Sequence, residues 1–222
     1  MLFDLRSRGR RQAVRVIYLG LALLMLGGLV LFGVGAGNGF GGLLNAFTNN
    51  GSGNVGGQVK DQAQKRALKA TKANPSSAAA WAQLIQADFE LAGEGSNYNS
   101  TTGAYSTTGK TVLAEVANAW TRYTALTKSP NPDIAILAAR AYTQTGQYAG
   151  AAQAWQDVSL AQPKEPKGYE CWAINAYAAQ QTRTAQLAGA KALSLVPKAE
   201  RLTLKQLLEE AKTSTAVAKS VC

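Results

Sequence analysis

Cys171 and Cys222 are the two cysteines of a 222-residue chain that contains no histidine. A thiol becomes a nucleophile when a neighbouring base or cation draws off its proton, and histidine is the usual partner. The two positions also lack the close pairing of a metal site or a redox motif. Two readings stay open. In an oxidising space the pair can close a disulfide that ties the end of the chain back to residue 171. Otherwise Cys171 is a buried free thiol and Cys222 a loose end.

The remaining titratable groups form no catalytic pattern. Thirteen carboxylates are scattered among 23 Lys and Arg, for a net charge of +10. With no histidine, the commonest general base and metal ligand is missing. The composition therefore argues against catalysis, and no catalytic, cofactor-binding or metal residues and no cofactor are expected. Nucleic acid is not an expected partner, because the basic residues outside the N-terminal region are dispersed. Oligomeric state is not set by any feature of the chain.

Residues 1–15, MLFDLRSRGRRQAVR, carry five arginines against one aspartate. Residues 16–35 follow without a charge, and as a helix they reach about 30 Å, the thickness of a bilayer core. A cleaved signal has a shorter apolar core, so this stretch reads as a single-pass transmembrane helix. The arginines place the N-terminus in the cytoplasm and the rest of the chain on the far side of the cell membrane. Residues 36–57, rich in Gly, Asn and Ser, read as a flexible linker.

Helical periodicity begins at Gln58. Ala63, Ala67 and Ala70 share a stripe that stops at Asn74-Pro75, and Lys60, Lys65, Arg66, Lys69 and Lys72 make this segment basic. Next to a tether, such a helix can face anionic headgroups or simply be solvated. Ser77 is a candidate N-cap for a helix with Trp81, Leu84, Ile85 and Phe89 on one face. Gly93 to Lys110 has turn glycines and no period, and reads as a loop. A further helix carries Val116, Trp120 and Tyr123.

From Pro132 the chain repeats itself. Pro132 and Pro166, Ala139 and Ala173, Ala151 and Ala185, and Pro163 and Pro197 are all separated by the same interval. A fixed period of this size marks stacked helix pairs. Tyr142, Gly146, Tyr148, Ala151, Trp155 and Pro163 fall on the signature positions of the tetratricopeptide-repeat (TPR) family, and the chain from Pro132 to Glu165 resembles that family closely. Residues 166–199 resemble it less: Gln180 stands where the turn glycine belongs, and Gly189 replaces the aromatic. Residues 78–131 resemble an enlarged unit with the loop 93–110 inserted, and 58–77 a partial one. Leu204, Leu207, Leu208 and Ala211 predict a capping helix over 198–212, followed by a tail, 213–222.

The resemblance implies an all-α fold, a TPR-like α-solenoid of antiparallel helix pairs over 58–212, preceded by the transmembrane helix. It also implies a protein or peptide partner held in a groove lined by the first helix of each pair. The groove positions are Gln86, Phe89 and Glu90; Asp133, Ile136, Arg140 and Thr143; and Lys167, Glu170, Ile174 and Tyr177. Arg140 and Glu170 could instead pair with each other. The architecture looks like that of bacterial envelope proteins concerned with assembly, secretion or folding. A permanent structural subunit of a membrane complex is the other reading.

Overall fold

The computed structural model describes residues 55–222, and these are mostly helical. The basic leader, the span predicted over 16–35 and most of the linker lie outside the described residues. Within them, no helix is long and apolar enough to cross a membrane.

Helix α1 (Val55–Ala73) starts inside the stretch assigned to the linker, despite two glycines in its first turn. Helix α2 (Ala78–Ala92) is opened by Ser77, whose hydroxyl accepts from the Ala80 amide at 3.2 Å. Helix α3 (Thr107–Leu126) is opened in the same way by Ser106 and runs antiparallel against α2. Helices α4 (Pro132–Gln144) and α6 (Pro166–Ala178) both begin on a proline, where the missing N–H costs nothing. Each packs on the helix that follows it, α5 (Tyr148–Ala161) and α7 (Thr182–Leu195), and α5 also packs on α6. Helix α8 (Arg201–Ala211) and the short α9 (Ala216–Val221) close the chain.

Small residues let these helices approach. Ala135, Ala139, Ala141, Ala151, Ala154, Ala173, Ala176 and Ala185 are fully buried. Between them stand a few large side chains: Leu113, Val116, Trp120 and Trp155. The main cluster joins α1 to α6, and a second joins α6 to α9. Hydroxyls stitch neighbouring pairs together. Tyr123 accepts from the Asn131 amide at 2.9 Å and Tyr142 donates to the Ala117 carbonyl at 3.2 Å.

The turns α4–α5 and α6–α7 have one geometry. The Gly146 amide donates to Thr143 O and the Gln147 amide to Tyr142 O. At the equivalent positions of the next pair, Gln180 donates to Tyr177 O and Gln181 to Ala176 O. This is the Schellman arrangement, which puts its fifth residue in the left-handed region. Gly146 has φ 78° and Gln180 φ 61°. The turn is therefore kept where the glycine is lost.

Three expectations are corrected. The segment 93–110 is not an irregular loop. It holds a short turn of 3-10 helix (Gly95–Asn97) and a hairpin, β1 (Tyr98–Asn99) with β2 (Ala104–Tyr105), in the register Tyr98 to Tyr105. Its last residues, from Thr107, already belong to α3. The hairpin turn is held by Asn99, whose side-chain oxygen accepts from the Thr101 and Thr102 amides. The predicted linker loses its last residues to α1. The predicted tail is not a tail: residues 216–221 are helix, and Val217 and Ala218 are buried.

Candidate partner-binding face

The predicted groove residues sort into three groups by position. Gln86 and Glu90 on α2 and Asp133 and Arg140 on α4 are exposed, while Phe89 and Ile136 are half-buried and pack onto the main core. Helices α2 and α4 are in contact. Exposed polar residues and half-buried apolar ones are thus mixed on two touching helices. Gln86 donates to Glu90 at 3.2 Å along the helix.

Beside this face stands the hairpin. The rings of Tyr98 and Tyr105 meet at 4.9 Å between centroids, tilted by 53° to each other. Burial pushes the Tyr105 hydroxyl above its ordinary range; the neighbouring Tyr98 adds to this and the Arg140 guanidinium opposes it. The charge of Arg140 thus reaches the hairpin. In sequence, both tyrosines fall in the stretch read as a loop, whose Tyr, Ser, Thr and Gly suit adaptable partner contacts, and no periodicity pointed to their pairing. The hairpin is fixed to the first turn of α3 by a close approach: a side chain at Gly109 would strike the Asn97 carbonyl.

The second group does not face a groove at all. Thr143 is completely buried. Its hydroxyl lies 2.9 Å from the Ala139 carbonyl and 2.8 Å from the side-chain oxygen of Asn175, so it can donate to either. Asn175, also buried, donates from Nδ2 to the Cys171 carbonyl at 2.9 Å. Thr143 and Asn175 therefore meet as a polar contact between α4 and α6, a structural role. Ile174 is 1% exposed and belongs to the apolar cluster that contains Val217 and Ala218 of α9. Thr143 and Ile174 leave the list of surface positions.

The third group is on α6. Lys167 is exposed and donates to Glu170 at 2.7 Å, so Glu170 pairs along its own helix and not with Arg140. Tyr177 is half-buried, with the Lys212 ammonium 5.9 Å from its ring centre.

Helix α9 sets the α6 positions apart from those on α2. It packs against α4, α6 and α8 together. Cys222 is bonded to Cys171, with Cα atoms 5.6 Å apart. Gln144 at the end of α4 donates to the Lys219 carbonyl at 3.2 Å. Among the described residues, Gln86, Glu90, Asp133 and Arg140 stay exposed, while α9 packs against α4 and α6.

One buried charge lies elsewhere. Asp88, on the core side of α2, is 2% exposed and its Oδ1 has no partner among the described residues. Burial raises its pKa to about 6, opposed by the Gln64 amide and reinforced by Glu115. It faces α1 and α3, away from the partner-binding face.

Comparison with protein-family models, with characterised proteins and with solved structures finds no match for this chain.

Proposed function

We propose that this chain is a TPR-like α-solenoid that serves as a protein-interaction module, held at a cell membrane by residues 16–35. The observation that carries this reading is the recurrence of the sequence period in three dimensions. The same proline start, the same buried alanines and the same left-handed turn return in α4–α5 and α6–α7. Stacked pairs of this kind bury their shared faces and leave the inner faces of the first helices for recognition.

On this reading the partner segment lies along α2 and α4. Phe89 and Ile136 supply apolar contact, Arg140 and Tyr105 supply polar anchoring, and Gln86, Glu90 and Asp133 form the rim. The disulfide fits an extracytoplasmic domain, since such bonds persist in oxidising compartments. An envelope assembly, secretion or folding factor is the class of function this supports.

A permanent subunit is the second reading. It is favoured by Leu160 on α5 and Leu187 on α7, which are 68% and 67% exposed on the second helices of their pairs. Large apolar side chains left in water are candidates for a fixed interface.

The test is copurification of the full-length chain from membranes with a double variant, Phe89→Asp and Ile136→Asp. The module reading expects the variant to keep the helical circular-dichroism spectrum and lose its copurifying protein. Retention of that protein by this variant and its loss from Leu160→Asp would move the assignment to the fixed-subunit reading.

A further inference from the structure

We infer that the inner face of α4 and α6 is a second docking surface, built for a short helix with a stripe of small apolar residues. The chain's own C-terminal helix fills it, and the Cys171–Cys222 bond keeps it filled. This deepens the reading above and rests on it in one respect: the inner faces of the first helices receive partner segments.

Four observations converge on this surface. Val217, Ala218, Val221 and Cys222 fall on one stripe of α9, and all four belong to or pack against the cluster that includes Ile174. Val217 and Ala218 are buried, yet α9 has only six residues. A helix that short does not persist in water by itself, since about 12–15 residues are marginal even in favourable sequences. It exists here because α4 and α6 receive it. The third observation is the anchor at Gln144, which reads the backbone of α9 and not a side chain, and so is indifferent to which helix lies there. The fourth is the bond itself. Cys171 is fully buried on α6, whereas Cys222 is half-buried directly after α9, so the more accessible partner of the bond is the one that α9 carries.

Opening the surface requires reduction by a dithiol. A thiolate of the dithiol attacks Sγ of Cys222, the bond to Cys171 breaks, and Cys171 leaves as a thiolate that takes up a proton. The second thiol of the reductant then closes onto the mixed disulfide and releases Cys222 as a thiol. The dithiol is oxidised by two electrons and the cystine is reduced by two. What remains to hold α9 is the packing of Val217, Ala218 and Val221, its contact with α8 and the Gln144 bond, with no covalent tie to α6, so the surface becomes exchangeable.

The experiment uses the full-length chain in detergent in three forms: oxidised, held reduced with a phosphine, and carrying Cys222→Ser. Hydrogen exchange is followed by mass spectrometry. Binding is measured with a fluorescent peptide of residues 212–222 carrying Cys222→Ser. The inference expects exchange at 214–222 and at 168–178 to rise about tenfold or more in the reduced and Cys222→Ser forms beyond any rise in α2 and α3. It also expects the peptide to bind those two forms and not the oxidised one. Unchanged protection of α9 after reduction would overturn it, as would release of α9 without peptide binding. Loss of protection throughout α4 to α8 would overturn it too, making the bond a clamp on the whole fold. None of these readouts depends on the α2–α4 face, so the copurification test can fail or succeed separately.

Discussion

Gln180 makes, one repeat downstream, the left-handed turn that Gly146 makes, at φ 61° against 78°. A side chain in that region clashes with its own backbone, at a cost of about 1–2 kcal/mol that glycine avoids. Gln180→Gly should therefore stabilise the fold by about 0.5–1 kcal/mol, after the extra chain entropy of glycine is subtracted. Gly146→Ala should destabilise it by about 1 kcal/mol or more. Thermal unfolding of the two variants is the check, and a lower melting temperature for Gln180→Gly would count against the shared turn.

The bond between Cys171 and Cys222 spans 51 residues. Closing a loop of that length removes freedom from the unfolded chain worth about 2–4 kcal/mol. Denaturant unfolding of the oxidised chain should therefore shift to lower midpoint with reductant by that amount. Cys222→Ser should show no further shift with reductant. A wild-type midpoint indifferent to reductant would contradict the bond.

Asp88 gives a pH dependence whose sign is fixed. Its pKa in the fold, about 6, lies above its ordinary value of 3.8, so the folded state holds the proton more tightly. Stability from this group is fully present below about pH 4, falls as pH rises to about 6, and is flat beyond. Asp88→Asn should gain about 1–2 kcal/mol at pH 7, a figure discounted for solvent and for the amide's own unmet hydrogen bonds. At pH 3.5 the gain should vanish. Equal unfolding midpoints for both proteins at pH 7 would show that the carboxylate is not penalised.

Leu208 of α8 reaches the site of the missing aromatic. Trp155 fills the core of one pair, and at the equivalent position of the next stands Gly189, where a side chain would meet Leu208 Cδ1 at 3.1 Å. Leu208→Ala should cost about 2–4 kcal/mol, because no neighbouring side chain can take its place. Exposed Leu202 on the same helix, changed to Ala, should cost less than about 0.5 kcal/mol. Urea unfolding of the two variants side by side is the check, and equal losses would remove Leu208 from the core.

The elements that the sequence marks clearly are those with chemical boundaries. Ser77 as a cap, Asn131-Pro132 and the recurrence of that proline at Pro166 locate helix starts by rules that hold locally. The capping helix is likewise legible from Leu204 and Leu208, which are buried together with Ala211. Helix α9 is not legible, since its one apolar stripe, Val217, Ala218, Val221 and Cys222, is barely more than one turn long and its helicity comes from the surface that receives it. The hairpin is hidden for a related reason. Its very short strands are held by one pair of tyrosines and by the approach of Gly109 to Asn97, which are tertiary facts. On the candidate site, the family resemblance implied groove positions at Gln86, Glu90, Asp133 and Arg140, and these four are exposed. The resemblance could not show that Thr143 would turn inward to Asn175, or that Ile174 would share an apolar cluster with α9, because both depend on distant segments.

The most direct measurement is site-specific photocrosslinking in intact membranes, with a photoreactive residue at Arg140, at Gln86, or at Leu187 on α7. The account predicts one discrete crosslinked protein from Arg140 and Gln86, absent from Leu187 and abolished by Phe89→Asp with Ile136→Asp. The same product from Leu187, or its survival in that double variant, would contradict the assignment of the α2–α4 face as the binding surface.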